Sequence, residues 1–179
     1  MTLLTIEVTM SVTVSPAVVR ADREGERRWF FGGGVHTWKV RAEETNGAFF
    51  LFEDRMAQGK MTPLHVHPDS DETMYVIEGE ILMHLDGRQE RVAAGGVALA
   101  PRGLPHAFMV LSPVARMLCL HTPGCCESFY WGASEPLADD DLGSGLVDID
   151  RVRASGEHHG GIQFVGPPPF EPARTVRAG

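Results

Sequence analysis

Hydrophobic and polar residues alternate along most of the chain, a pattern typical of strands with one buried face. The longest run covers residues 3 to 14, where one face carries Leu4, Ile6, Val8, Met10, Val12 and Val14. Shorter segments of this kind are residues 36–41, 48–54, 73–78, 81–85, 89–93, 97–100 and 116–121. Turn-forming pairs separate them, among them Asn46-Gly47, Asp86-Gly87 and Gly95-Gly96. Short strands divided by turns predict an all-β domain, closed or sandwiched as an antiparallel barrel.

The pattern changes after Pro123-Gly124. Residues 127–131 are apolar and aromatic, and they start a helix or line the mouth of a pocket. Leu146, Ile149 and Val152 recur at every third position, which predicts one short amphipathic helix. This helix should end near Gly160-Gly161, with a proline-rich extended tail after it.

Length and charge narrow the classes of function. The 179 residues suffice for one domain with a sizeable core. The chain has 16 basic and 24 acidic residues, a formal charge of −8, which argues against nucleic acid or an anionic membrane as a partner. No apolar run is long enough to cross a bilayer, and the first residues lack the basic region of a secretory signal. We therefore expect a cytoplasmic protein.

The strand at residues 3 to 14 is unusually long for a terminus. It lies either on an outer sheet of its own barrel or against a second subunit, where it covers an exposed edge. We favour the second arrangement, which predicts a homodimer.

Four residues between Gly59 and His106 form a candidate metal site. His65 and His67 are two positions apart and so point to the same face of a strand. Glu72 follows a polar turn, and His106 arrives from elsewhere in the sheet. Neutral imidazoles with one carboxylate suit one divalent first-row transition metal, namely Fe, Ni, Co, Mn, Cu or Zn, whereas Ca or Mg would require more oxygen ligands.

The other histidines and the cysteines favour structural roles. Isolated strand histidines such as His36, His84 and His121 are more often hydrogen-bonded than metal-bound. His158 and His159 fall at the end of the predicted helix, where positive charge is favourable. The odd count of three cysteines, Cys119, Cys125 and Cys126, argues against a disulfide framework. His121 with Cys125 and Cys126 offers only three of the four ligands that structural zinc needs.

The spacing of the four metal-site residues resembles the cupin superfamily. Gly59-x5-His65-x-His67-x4-Glu72-x6-Gly79 is similar to its first signature, and Gly95-x5-Pro101-x-Gly103-x2-His106 is similar to its second. The chain departs from the family at Val110, where members usually have Asn, and at Gly96, where they often have Asp. The resemblance implies a single cupin jelly-roll barrel over residues 35–125. Residues 1–34 would then be an N-terminal strand and arm, and residues 126–179 a C-terminal helix and tail.

Among cupins the arrangement looks most like the single-domain bacterial quercetin 2,3-dioxygenases. This resemblance implies that His65, His67, Glu72 and His106 hold the metal and that Glu72 is also the catalytic base. The reaction would be the ring-cleaving oxidation of a hydroxylated aromatic, flavonol-like small molecule. Parity with the site residues predicts an apolar pocket wall, which is formed by Met74, Val76, Phe108 and Val110.

Two other functions stay open. One is a cupin that binds a metal and a small ligand without turnover. The other is an isomerase, cyclase or decarboxylase that acts on a small acid. The apolar residues 108–111 argue against a sugar isomerase, which needs more polar groups around the metal.

Overall fold

The computed structural model describes residues 16–138 and 145–170, so the strand predicted at residues 3 to 14 lies outside the described residues. The described strands are β1 (Arg27–Phe30), β2 (Val35–Val40), β3 (Phe50–Ala57), β4 (Leu64–Val66), β5 (Asp71–Glu78), β6 (Glu80–Leu85), β7 (Arg88–Ala93), β8 (Val97–Ala100), β9 (His106–Val110), β10 (Val114–Thr122), β11 (Ser134–Pro136) and β12 (Gln163–Gly166). The helices are α1 (Glu127–Gly132), α2 (Ile149–His159) and a 3-10 turn, Ala42–Thr45.

The strands form two antiparallel sheets with the topology of a jelly roll. The larger sheet has the order β11-β1-β2-β3-β10-β5-β8, and the smaller has the order β12-β4-β9-β6-β7. The predicted all-β fold class is confirmed. The sheets also include strands from outside residues 35–125, because β1 pairs with β2 and β11, and β12 pairs with β4.

The core lies between the sheets and follows the alternation in the sequence. Strand β3 buries every second residue, so that Phe50, Phe52, Asp54 and Met56 face inward. Three of these four are apolar, as expected for a core strand. Asp54 is a carboxylate on the same buried row and needs polar partners there.

Two turns between strands have the backbone geometry that their residues favour. Asp86 and Gly87 have φ of 48° and 74° between β6 and β7, which is the geometry of a type I′ hairpin. Gly79 has φ of 81° between β5 and β6, where a Cβ atom would overlap Ser112 Oγ and the Val114 carbonyl. Glycine at this position lets the chain cross from one sheet to the other.

The predicted C-terminal helix is confirmed as α2. The Asp148 side chain caps its N-terminus by accepting a hydrogen bond from the Arg151 amide at 3.1 Å. Helix α2 packs on α1, where Ser155 Oγ donates to the Phe129 carbonyl at 2.8 Å. Within the described ranges, no helix is long and apolar enough to cross a membrane.

Candidate metal centre

The four predicted ligands meet between the two sheets. His65 on β4 and His106 on β9 are directly opposite each other in the smaller sheet, and His67 follows β4. Glu72 reaches them from β5 of the larger sheet. All four residues are buried, and one ligand atom from each lies within 4.8 Å of the others. The site therefore joins the two halves of the barrel.

Backbone contacts orient the three imidazoles. Each ring places Nδ1 against a main-chain carbonyl oxygen: His65 on Pro63 at 2.8 Å, His67 on Gly161 at 2.6 Å and His106 on Leu104 at 2.8 Å. A carbonyl oxygen can only accept a hydrogen bond, so Nδ1 carries the proton of a neutral ring and Nε2 keeps its lone pair. The contact between Nδ1 and the carbonyl oxygen fixes the tautomer and the ring orientation that a metal ligand requires.

Charge at the site also suits a cation. Burial, followed by the neighbouring His106 and His67, lowers the pKa of His65 to about 3, so this ring is neutral at pH 7. Burial raises the pKa of Glu72, but His121, His106 and His67 outweigh burial and hold it well below its ordinary value. Burial lowers the pKa of His106, but the hydrogen bond to Glu72, whose Oε2 lies 2.9 Å from His106 Nε2, outweighs burial and raises it above its ordinary value. The cluster thus contains one ionised carboxylate beside a neutral His65.

The residues present fit a first-row metal ion. Nitrogen and oxygen ligands lie about 2.0–2.2 Å from such an ion, so ligand atoms on opposite sides of it are about 4.2 Å apart. The observed upper limit of 4.8 Å requires adjustments of only a few tenths of an ångström. The cluster is capable of binding a metal ion.

A further group of side chains surrounds Glu72, and sequence reasoning did not place it there. His121 is opposite Glu72 in the β5–β10 pair, with its Nε2 3.5 Å from Glu72 Oε1. Its Nδ1 lies 3.3 Å from Cys126 Sγ, and the Tyr130 hydroxyl lies 3.3 Å from His67 Nε2. The aromatic segment at residues 127–131 was the only sequence signal for Tyr130.

The alternative zinc site assembles only in part. His121 and Cys126 approach each other, but the third member of this group of potential ligands is His67. Cys125 is exposed, and its thiol donates to the Asp69 carbonyl at 3.6 Å. His158 and His159 occupy the last turn of α2, as predicted.

A small cavity of about 50 Å³ opens beside His65 and Glu72. Phe108, one of the four residues predicted for the pocket wall, is on its wall. Among the described residues, Met74, Val76 and Val110 are packed in the core and do not line this cavity. Much of the wall comes from α1, α2, β12 and the segment before β12, through Phe129, Tyr130, Ile149, Val152, Ile162 and Phe164. The two helices and β12 thus contribute to the wall of the site.

Comparison with known proteins shows what this chain is similar to. Residues 52–121 match the family model of the cupin domain. A quercetin 2,3-dioxygenase of Bacillus subtilis (strain 168) is 31% identical over 107 residues, which are 60% of this chain. The match spans 32% of that relative, about a third of its length.

Solved structures support the same fold. A predicted oxalate decarboxylase from Thermotoga maritima superposes with a TM-score of 0.54 at 22% identity, over 60% of this chain and 99% of that one. A sugar phosphate isomerase of the cupin superfamily from Silicibacter pomeroyi gives a TM-score of 0.52 at 20% identity, over 60% and 76% of the two chains. At these identities, the two likenesses establish the fold alone.

Proposed function

We propose that this protein is a metal-dependent dioxygenase that cleaves the ring of a hydroxylated aromatic, flavonol-like substrate. The observation that carries the proposal is the convergence of three imidazoles and the Glu72 carboxylate, of which His65 and Glu72 border a cavity with several aromatic side chains in its wall. The 31% identity to a quercetin 2,3-dioxygenase supports this choice among cupin reactions. Because the match spans a third of that relative, its activity is carried over here as a proposal.

His65, His67, Glu72 and His106 would hold one divalent first-row metal ion. Such an ion supplies a Lewis acid that stabilises a substrate oxyanion and a centre for reaction with oxygen. The three carbonyl contacts at Nδ1 keep each imidazole in place during the reaction.

Glu72 is the proposed general base. Its carboxylate is ionised and borders the cavity, so one of its oxygens can take the proton of a substrate hydroxyl. Phe52, Phe108 and Tyr130 present aromatic surfaces that would pack on the substrate ring and exclude water.

The size of the cavity limits how a flavonol would bind. A water molecule needs at least about 10–15 Å³ of such space, so the cavity of about 50 Å³ holds a few waters, much less than a whole flavonol. A neighbouring groove of about 1020 Å³ shares Lys60, Met61 and Pro63 with the cavity wall. We propose that the reacting part of the substrate enters the cavity and the remainder lies in the groove.

The same small volume favours a second candidate, a cupin that binds or converts a small acid. A non-catalytic binding protein and an isomerase, cyclase or decarboxylase belong to this alternative. Tight binding of a metal and a small acid without consumption of a flavonol would favour it over the dioxygenase.

The deciding experiment measures flavonol consumption by the metal-loaded protein under oxygen. Quercetin should lose its visible absorbance and release carbon monoxide. Glu72→Gln should abolish this turnover while bound metal decreases only in part. Glu78→Gln is the matched control, because Glu78 is exposed at the other end of β5. Full activity of Glu72→Gln would exclude Glu72 as the base, and no turnover with any loaded metal would exclude the dioxygenase.

We further propose that the protein acts in the cytoplasm as a homodimer. Three free cysteines, Cys119, Cys125 and Cys126, suit a reducing compartment. Strand β8 is an edge of the larger sheet within the described residues, and it exposes Val97 and Leu99 by 62% and 53%. An exposed apolar edge of this kind is a surface that a second subunit can cover.

A further inference from the structure

A second polar cluster lines the same cavity as the candidate metal centre. It consists of Lys60, Asp54 and His36, whose side chains are 7%, 3% and 2% exposed. Lys60 Nζ lies 2.8 Å from Asp54 Oδ2, and His36 Nε2 lies 3.6 Å from the same oxygen. All three residues border the cavity, together with His65 and Glu72. The cavity therefore has two separate groups of charged or polar side chains.

The barrel brings the three residues together by strand register and by close backbone approach. His36 on β2 is opposite Asp54 on β3 and stacks between Phe30 and Phe52, with ring centroids 4.6 and 4.3 Å away. A Cβ atom at Gly34 would lie 2.5 Å from Asp54 Oδ1, so only glycine leaves room for the carboxylate there. Lys60 arrives from the loop between β3 and β4, and its ammonium group lies 5.0 Å from the centre of the Phe108 ring.

Not every hydrogen-bonding atom of this cluster has a partner among the described residues. Asp54 Oδ1 and His36 Nδ1 have no hydrogen-bond partner among the described residues. The Lys60 ammonium has three N–H donors, and Asp54 is the one acceptor that it contacts there. Buried polar groups in proteins normally have partners, and those without one call for an explanation. A ligand that supplies an oxygen atom could accept a hydrogen bond from one of the Lys60 N–H groups that Asp54 does not use.

The approach to the cavity carries positive charge. The charged residues that line the adjoining groove, within the part of the chain that the structure describes, are Arg55, Lys60 and Arg153. They are all basic, although the whole chain has a formal charge of −8. A groove lined by one sign of charge concentrates ligands of the opposite sign. The groove therefore favours an anionic small molecule.

We propose that Lys60 is a specificity-determining residue whose ammonium group binds an anionic oxygen of the substrate, while a hydroxyl of the same substrate faces Glu72. This inference rests on the proposed function, and it narrows the substrate class to hydroxylated aromatic compounds that carry an acidic group. Asp54 positions the ammonium, and His36 supports Asp54 from β2. Lys60 makes no bond to the reacting atoms and is a binding residue.

The test compares two aromatic probes that differ in charge. Isothermal titration under anaerobic conditions gives the Kd of 4-hydroxybenzoate and of its neutral counterpart, 4-hydroxybenzamide, for the full metal-loaded chain. A hydrogen bond to a charged group should favour the benzoate by about tenfold or more. Lys60→Met should bring the ratio of the two Kd values close to one, whereas Lys60→Arg should keep most of the preference.

Two further variants keep the test decisive. Lys60→Met leaves Asp54 buried without its partner, so the double variant Asp54→Asn/Lys60→Met removes both charges and should also lose the preference. Lys39→Met is the matched control, because Lys39 is the other lysine of the chain and donates to the Ala21 and Glu24 carbonyls outside the cavity. Its Kd ratio should equal that of the unaltered protein.

The outcomes separate this inference from the proposed function. If the unaltered protein does not prefer the benzoate or binds neither probe, or if the folded double variant keeps the preference, the role of Lys60 is wrong, whether or not quercetin is consumed. If the preference depends on Lys60 but quercetin is not consumed, the binding role stands and the flavonol-cleaving activity is wrong.

Discussion

Removing the metal should lower the stability of the barrel, because a bound ion would connect its two sheets. Three candidate ligands come from the smaller sheet or the turn beside it, and the fourth, Glu72, comes from the larger one. An ion present at 100 times its Kd stabilises the folded chain by about 2.7 kcal/mol. In a chain of this size, each kcal/mol shifts Tm by about 2–4 °C, so the expected shift is about 5–11 °C.

The assay is thermal unfolding followed by circular dichroism, first with a chelator and then with graded additions of Fe, Ni, Co, Mn, Cu or Zn. His67→Ala should lose most of the metal-dependent shift, because it removes one ligand atom. His84→Ala is the matched control, since His84 lies on β6 away from the cluster and should keep the full shift. An equal shift for His67→Ala and the unaltered chain, or no shift with any metal, would refute the reasoning.

Two further predictions concern charge and assembly. Burial raises the pKa of Asp54, but Lys60 and His36 outweigh burial and hold this pKa below its ordinary value. The ionised Asp54 therefore stabilises the folded chain fully at pH values above the ordinary pKa. This stabilisation is lost as the pH falls through the lower pKa of the folded state. Acid titration of the free energy of unfolding should therefore be less steep in Asp54→Asn, by up to about 1.4 kcal/mol per pH unit below about pH 4, and identical slopes would contradict the ion pair. Leu99→Asp places a charge on the exposed edge strand β8 and should convert the proposed dimer to a monomer, which light scattering would detect as a mass of 19.6 kDa. Glu90→Asp on β7 is the control and should leave the dimer intact. A monomeric unaltered chain would exclude the dimer.

Local periodicity was enough to predict most of the strands, and the spacing that resembles the cupin signatures indicated the four candidate ligands. His65 and His67 share a face because side chains alternate along a strand, and the glycines around them restrict where the strands end. The partners of these residues depend on strand pairing across long stretches of sequence. His121 reaches Glu72 only through the β5–β10 register, and His36 reaches Asp54 only through the β2–β3 register. No local pattern encodes either contact.

The predicted pocket wall shows a second limit of parity arguments. Met74 and Val76 share the inward face of β5 with Glu72, yet they lie deeper in the barrel, where the core is filled. Residues on the same face of a strand can lie at different distances from the site. Of the four predicted wall residues, Phe108 is the one that borders the cavity. Part of the remaining wall comes from α1, α2 and β12, whose placement against the barrel requires tertiary contacts.

The central claim is that four side chains hold a single metal ion inside the barrel, and the amount of metal bound per chain tests it most directly. Elemental analysis of the purified chain, after loading and removal of free metal, should give one equivalent of a divalent first-row metal. The triple variant His65→Ala/His67→Ala/His106→Ala should retain almost none, while His84→Ala should retain one equivalent. Equal metal content in the triple variant and the unaltered chain would contradict the account.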